Sequence, residues 1–192
     1  MTKTILYMLT LYFFSCGIHS ATEKPTLKDY QLGEKWVWKW ERSVEGEIRA
    51  EGEDMQLVVD YNGELGFWNG ADTVLISTTL APEQSSTPFR NWPLQVGEKW
   101  KFESRWKNNE GTTGKTSQDV EVVSFEELNV TGGKFMAYKI EYKGIVTNSR
   151  GFEGAMNDTW WYAPDLKTYI KHVNEDGYGV YVNELTSYSK PR

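Results

Sequence analysis

A ten-residue phrase that occurs twice restricts the fold more than any other feature of the chain. Gln31-Leu32-Gly33-Glu34-Lys35-Trp36-Val37-Trp38-Lys39-Trp40 returns as Gln95-Val96-Gly97-Glu98-Lys99-Trp100-Lys101-Phe102-Glu103-Ser104, 64 residues further on. After Gly-Glu-Lys, each copy sets a bulky residue at every second position. Trp36, Trp38 and Trp40 do so in the first, and Trp100, Phe102 and, beyond Ser104, Trp106 in the second. Side chains on a strand alternate between faces, so each copy predicts a half-buried strand with an aromatic face and a Lys/Glu face. The copies therefore read as the openings of two halves of one β domain, 31–79 and 94–192.

The intervening sequence is consistent with that reading. Strands are predicted over 35–42, 55–61, 65–68 and 73–79, with the acidic segment 45–54 a turn or a short edge strand. Asn62-Gly63 and Asn69-Gly70 are hairpin signals, because Asn and Gly tolerate positive φ. Residues 21–30 form a polar leader. Residues 80–93 hold Pro82, Pro88 and Pro93 among serines, and read as a connector between the halves. In the second half, 118–125 and 134–146 form a hairpin around 129–133, and 148–158 is expected to be a loop. Strands 159–162 and 168–173 flank Ala163-Pro164-Asp165-Leu166, and a last strand covers 179–188. No twelve-residue window combines helical apolar spacing with good helix formers. The fold expected is all-β: a strongly curved antiparallel sheet, barrel-like or a sandwich, of about ten strands in two halves.

Residues 1–20 carry Lys3, an apolar run from Ile5 to Phe14 and a small, polar tail, the layout of a signal peptide. Two processing routes are open: cleavage after Ser20, or lipid attachment at Cys16, which follows the apolar run. The expected destination is the periplasm or cell envelope, with membrane contact only through such an anchor. Cys16 is the only cysteine, so the chain cannot form a disulfide framework. Removing Lys3 takes the net charge from −6 to −7, and no basic cluster offsets it, which argues against a nucleic-acid partner.

Leu94-Gln95-Val96-Gly97-Glu98-Lys99-Trp100, then Thr159-Trp160-Trp161-Tyr162-Ala163-Pro164-Asp165 and the closing Leu185-Thr186-Ser187-Tyr188, resemble a family of exported bacterial β-rich proteins of unknown function. Members share a Gly-acidic-x-Trp strand opening and a Trp-Tyr-Ala-Pro segment. The resemblance implies a curved antiparallel β fold in the bacterial envelope and supplies no catalytic residues.

The residues themselves offer little for catalysis. Once His19 leaves with residues 1–20, His172 is the single histidine, with no Gly-x-Ser-x-Gly elbow to accompany it. Histidine or cysteine metal sites are excluded by the same count, and no cofactor is implied. Carboxylates such as Glu103, Glu126, Glu127, Glu141 and Asp165 could form a glycosidase pair only if two faced one cleft. Aromatics are the surplus: 9 Trp, 11 Tyr and 8 Phe. They either fill a core or line a surface that grips a ring or an acyl chain. The candidate ligand-binding residues are Trp68, Trp92, Ser104, Trp106, Tyr138, Trp160 and Trp161. Ser104 is included because it leaves room that Trp40 fills in the first copy. The expected function is non-catalytic binding of an apolar or ring-bearing ligand, a lipid or glycan fragment. An envelope protein-interaction or assembly factor is the alternative.

Overall fold

The structure, a computed structural model, describes residues 21–191; residues 1–20, with the predicted targeting segment and Cys16, lie outside the described residues. Ten strands follow in chain order: β1 (Lys35–Val44), β2 (Glu47–Tyr61), β3 (Glu64–Trp68), β4 (Thr73–Leu75), β5 (Lys99–Lys107), β6 (Thr113–Val130), β7 (Gly133–Asn148), β8 (Glu153–Ala163), β9 (Thr168–Glu175) and β10 (Val180–Ser189). They form one antiparallel sheet in the order β4-β3-β2-β1-β10-β9-β8-β7-β6-β5. Two meanders, β1–β4 and β5–β10, are thus joined where β1 pairs with β10. The sheet is not closed: β4 and β5 are its edges. It curls strongly, because the β6–β7 hairpin tip reaches across two strands to β10. There Gly132 N–H donates to the Leu185 carbonyl at 2.9 Å, and Thr131 N–H donates to Glu184 at 3.0 Å.

Strand register fixes the faces. One inner row runs Val122, Ile140, Trp160, His172, Asn183, Trp40, Gly52 from β6 to β2. One outer row runs Glu121, Glu141, Thr159, Val173, Val182, Glu41, Glu51 along the same path. The inner face is mostly apolar and aromatic. Lys39–Glu51, Lys99–Glu121, Lys101–Asp119 and Lys143–Glu141 ion pairs stud the outer one. Trp36 and Trp38 are buried at 1% and 4% exposure, as the alternation predicts.

The doubled phrase builds the same backbone device twice. Gly33 and Gly97 take φ of 88° and 89°, a left-handed conformation that glycine adopts without a Cβ penalty. Gly33 N–H donates to Val58 O, and Val58 N–H to Glu34 O, each at 2.8 Å. Gly97 N–H donates to Val122 O at 2.8 Å, and Val122 N–H to Glu98 O at 3.0 Å. Val58 and Val122 are 64 residues apart and both buried.

Several expected boundaries differ, and the strand expected over 118–125 runs over Thr113–Val130. The acidic segment is not separate from 55–61: β2 runs unbroken over Glu47–Tyr61, pairing along β1, because cross-strand partners outweigh the low β preference of Glu and Gly. The strand expected over 73–79 stops at Leu75, and α1 (Ile76–Thr79) makes one helical turn that drops Ile76 into the core at 0% exposure. Tertiary burial there overrides β-branched propensity. The loop expected over 148–158 is in its second part strand, since β8 begins at Glu153 and pairs with Thr147.

Candidate functional site

The segment 80–93, read from sequence as a connector, is packed onto the inner face. Phe89 stacks on Tyr142 with ring centroids 5.2 Å apart and meets Phe102 and Trp160 edge-on at 5.4 and 5.5 Å. The Tyr142 hydroxyl donates to the Phe89 carbonyl at 2.5 Å, and Trp100 Nε1 to the Pro88 carbonyl at 3.0 Å. Farther along, Leu94 exchanges backbone hydrogen bonds with Thr22 at 2.8 and 2.9 Å, tying the leader to the segment. Lys24 Nζ donates to the carbonyls of Leu80 and Ala81.

Leader, segment and sheet leave a cleft of about 650 Å³ between them, walled by Tyr30, Phe89, Trp92 and Tyr162 and edged by Lys24 and Arg90. The Arg90 guanidinium lies 4.7 Å from the Tyr162 ring centroid, 5.6 Å from Phe89 and 5.8 Å from Trp92. Such contacts suit a weakly hydrated planar cation. Burial pushes the Tyr162 phenol up to about 12, with the Arg90 charge pulling against it. Glu83 is the carboxylate that lines the cleft, and it accepts the Phe89 N–H at 2.8 Å.

A second polar cluster is set into the aromatic inner face. Asp158 on β8 accepts from Gln118 Nε2 at 2.8 Å and Asn174 Nδ2 at 2.9 Å, and pairs with His172 Nε2 at 2.8 Å. His172 stacks on Trp160, centroids 3.6 Å apart and rings nearly parallel. Burial alone would raise the Asp158 carboxyl, but hydrogen bonds from His172, Gln118 and Asn174 outweigh it and hold the group below the usual carboxylate range. Every polar atom of Asp158 is thus occupied by this network. That is the pattern of a satisfied buried carboxylate rather than of a poised acid or base.

Glu34, from the first copy of the phrase, is fully buried. Its Oε1 meets Lys167 Nζ at 2.6 Å and accepts the Tyr188 hydroxyl at 2.5 Å. Lys167 also donates to the Asp29 carbonyl at 2.8 Å. Glu98, its counterpart in the second copy, accepts from Asn91 Nδ2 at 2.6 Å through Oε1, while Oε2 is buried with no partner.

The sequence-predicted ligand residues do not converge. Trp92 alone lines the cleft. Trp160 and Tyr138 share the inner face with it; Tyr138 is buried and accepts from the Thr22 hydroxyl at 3.1 Å. Trp161 points to the other face, where its Nε1 donates to Glu126 at 3.1 Å. Trp68 lies at the far end of the sheet on β3. Ser104 pairs with Thr116, and Trp106, two residues on, covers Gly114. Trp40 covers Gly52 in the first meander in the same manner, so the indole lost at Ser104 is replaced one step along β5. Trp106 instead borders a separate open groove with Arg105 and Lys115. Sequence reasoning missed Arg90, Tyr30 and Phe89. The signal for Phe89 and Arg90 was Phe89-Arg90-Asn91-Trp92, two large aromatics within four residues of a supposed linker; Tyr30 carried no such signal.

Among the carboxylates considered for catalysis, Glu103 pairs with Lys115 and Glu141 is clasped by Lys139 and Lys143. Hydrogen bonds from those lysines hold both below the ordinary carboxylate value, the direction opposite to that of a general acid. Among the described residues no three His, Cys, Asp or Glu side chains gather closely enough to hold a metal ion, and no helix is long and apolar enough to cross a membrane.

The described residues therefore define an all-β protein: one open, strongly curved antiparallel sheet whose inner face carries an aromatic cleft. No protein-family model matches the chain, and no curated protein does. Among solved structures, it is similar to a candidate lipoprotein from Parabacteroides distasonis, with a TM-score of 0.47 and 12% identity over 89% of this chain and 100% of that one. A candidate exported protein with a YmcC-like fold from Bacteroides fragilis gives 0.40 and 12% over 89% and 100%. The hypothetical lipoprotein YmcC from Escherichia coli gives 0.40 and 17% over 84% and 92%.

Proposed function

We propose that the protein is a non-catalytic, exported cell-envelope protein that binds an apolar or ring-bearing ligand, a lipid or glycan fragment, in the cleft between segment 80–93 and the sheet. The observation that carries this reading is the cleft itself: about 650 Å³, walled by four aromatic rings. That volume falls within the roughly 300–1,000 Å³ of small-molecule sites, which combine apolar walls with a few polar groups. The targeting pattern of residues 1–20 supports export, and Cys16 is where a lipid anchor would attach. Titration with lipids and soluble glycans, followed by tryptophan fluorescence and thermal midpoint, tests the proposal. A ligand that shifts both, with Trp92→Ala weakening it about tenfold, is the expected result. A panel that moves neither signal refutes the reading.

A second reading, an envelope interaction or assembly factor, draws on the edge strand β5. Its repeat counterpart β1 is paired with a strand on both sides, whereas β5 has β6 as its one strand partner and meets segment 80–93 on the other side at the Glu103 N–H to Thr87 carbonyl contact. Unpaired edges accept an added strand. Crosslinking from positions 101 and 105 to one stoichiometric envelope protein would favour it over ligand binding.

A further inference from the structure

We infer that the cleft ligand carries an anionic head, a carboxylate or a phosphate monoester on an apolar body, and that Arg90 is the residue that reads it. This inference rests on the cleft being a ligand site.

Three observations point to an anion. First, Arg90 is flanked by the faces of Tyr162, Phe89 and Trp92, while no carboxylate among the described residues lies within ion-pair distance of it. Cation–π contacts occupy the flat faces of a guanidinium and leave its in-plane N–H donors for other partners. Second, Arg90 Nε is buried and has no hydrogen-bond partner among the described residues, the Tyr142 hydroxyl engaging the guanidinium elsewhere. A buried donor on a charged group without an acceptor is costly, and a carboxylate or phosphate satisfies two such donors at once. Third, the side chains that line the cleft include more cations than carboxylates although the chain is acidic overall. Lys24 is engaged only by neutral carbonyls, Lys167 is neutralised by Glu34, and Glu83 is the single carboxylate set against Lys24 and Arg90.

The aromatic walls take the body of such a ligand. Phe89 and Trp92 flank Arg90 in sequence, so one short stretch of chain supplies both the apolar wall and the charge. In-plane, two-point recognition separates this role from simple charge attraction, since lysine offers a point charge without the fork.

The test compares heads on one chain length by isothermal titration below the micellar range: dodecanoate, dodecyl phosphate and 1-dodecanol, with the whole mature chain. Either anion binding at least tenfold more tightly than dodecanol is the expected result, and the stronger of the two identifies the head chemistry. Arg90→Gln should bring the anions to the affinity of dodecanol, and Arg90→Lys should recover only part of the preference. Equal affinity of the parent protein for all three overturns the anionic head but leaves the ligand site standing. No binding of any of the three overturns the site itself. Preference retained in Arg90→Gln overturns the assignment to Arg90. If Arg90→Gln fails to fold, the comparison of heads on the parent protein decides alone.

Discussion

Lys167→Met isolates the cost of a buried charge at the core of the first repeat. Lys167 and Glu34 have side chains 8% and 0% exposed and meet at 2.6 Å. The Lys167 ammonium also sits 5.0 Å from the Tyr30 ring centroid and 5.6 Å from that of Trp36. Methionine keeps the apolar stem. It also leaves the backbone strain at φ 58° unchanged, because neither residue is glycine. What it removes is the cation. Glu34 is then left buried with the Tyr188 hydroxyl and the Gln31 N–H as its remaining donors. Removing one member of a buried pair costs about 3–5 kcal/mol, because the survivor keeps its desolvation penalty and loses its compensation. Against a domain stability of about 5–15 kcal/mol this is a large fraction. At about 2–4 °C per kcal/mol for a chain of this size, the midpoint should fall by roughly 6–20 °C. Urea unfolding followed by tryptophan fluorescence, with an unchanged m value, measures it. The double variant Glu34→Leu/Lys167→Met should recover most of the loss, since an apolar replacement of a buried pair is often neutral. A single-variant loss under about 1 kcal/mol, the range of exposed pairs, would refute the reasoning.

Gly144→Ala should unfold the protein or cost several kcal/mol, because a Cβ there would lie 2.0 Å from the Ser117 carbonyl oxygen, while Gly63→Ala, with open space around it, should cost only about 1 kcal/mol for positive φ. Equal urea midpoints for the two variants would show that close approach at Gly144 is not what the glycine permits. For Asp158, a depressed folded pKa means that ionisation contributes stability above the unfolded value, about 3.9, and that this is lost as pH falls through the folded one. Asp158→Asn should therefore be less stable than the parent at pH 7, with the gap narrowing below about pH 4; a gap that stays constant down to pH 2.5 would contradict this.

What could be read from sequence was whatever local chemistry decides. Period-two alternation placed Trp36 and Trp38 in the core, and Asn62-Gly63 turned where both residues take positive φ, 58° and 85°. The boundaries that differed are those set by partners distant in sequence. Gly154, Asn157 and Asp158 have no strand preference of their own; they are strand because β7 pairs with all three and β9 with Asn157 and Asp158. Ile76 leaves the strand because the core has room for it. The site was least legible for the same reason. A proline- and serine-rich composition describes how a segment behaves when solvated, and cannot reveal that Phe89 will stack on Tyr142, 53 residues away. The tryptophans singled out by position were scattered over both faces and both ends, since nearness to a turn says little about which face a side chain takes.

The doubled phrase is identical in its backbone role and divergent in the use of its glutamate, and that divergence connects architecture to the cleft. In the first copy Glu34 is enclosed by Lys167 from the β8–β9 turn and Tyr188 from β10, so it fastens the seam of the sheet. Among the described residues no lysine pairs with Glu98 in the second copy. It holds Asn91 instead, the residue between Arg90 and Trp92. A side chain that in one repeat closes the core therefore anchors, in the other, the stretch that walls the cleft. The seam also explains why only the second copy is free for this. β1 lies between β2 and β10, whereas β5 has β6 on one side and an open edge on the other, along which segment 80–93 can lie, as the Glu103 N–H to Thr87 carbonyl contact at 3.4 Å shows. An unpaired edge, a glutamate without a buried cation and a segment rich in aromatics occur together because each is what remains when the second repeat lacks the strand that β10 supplies to the first.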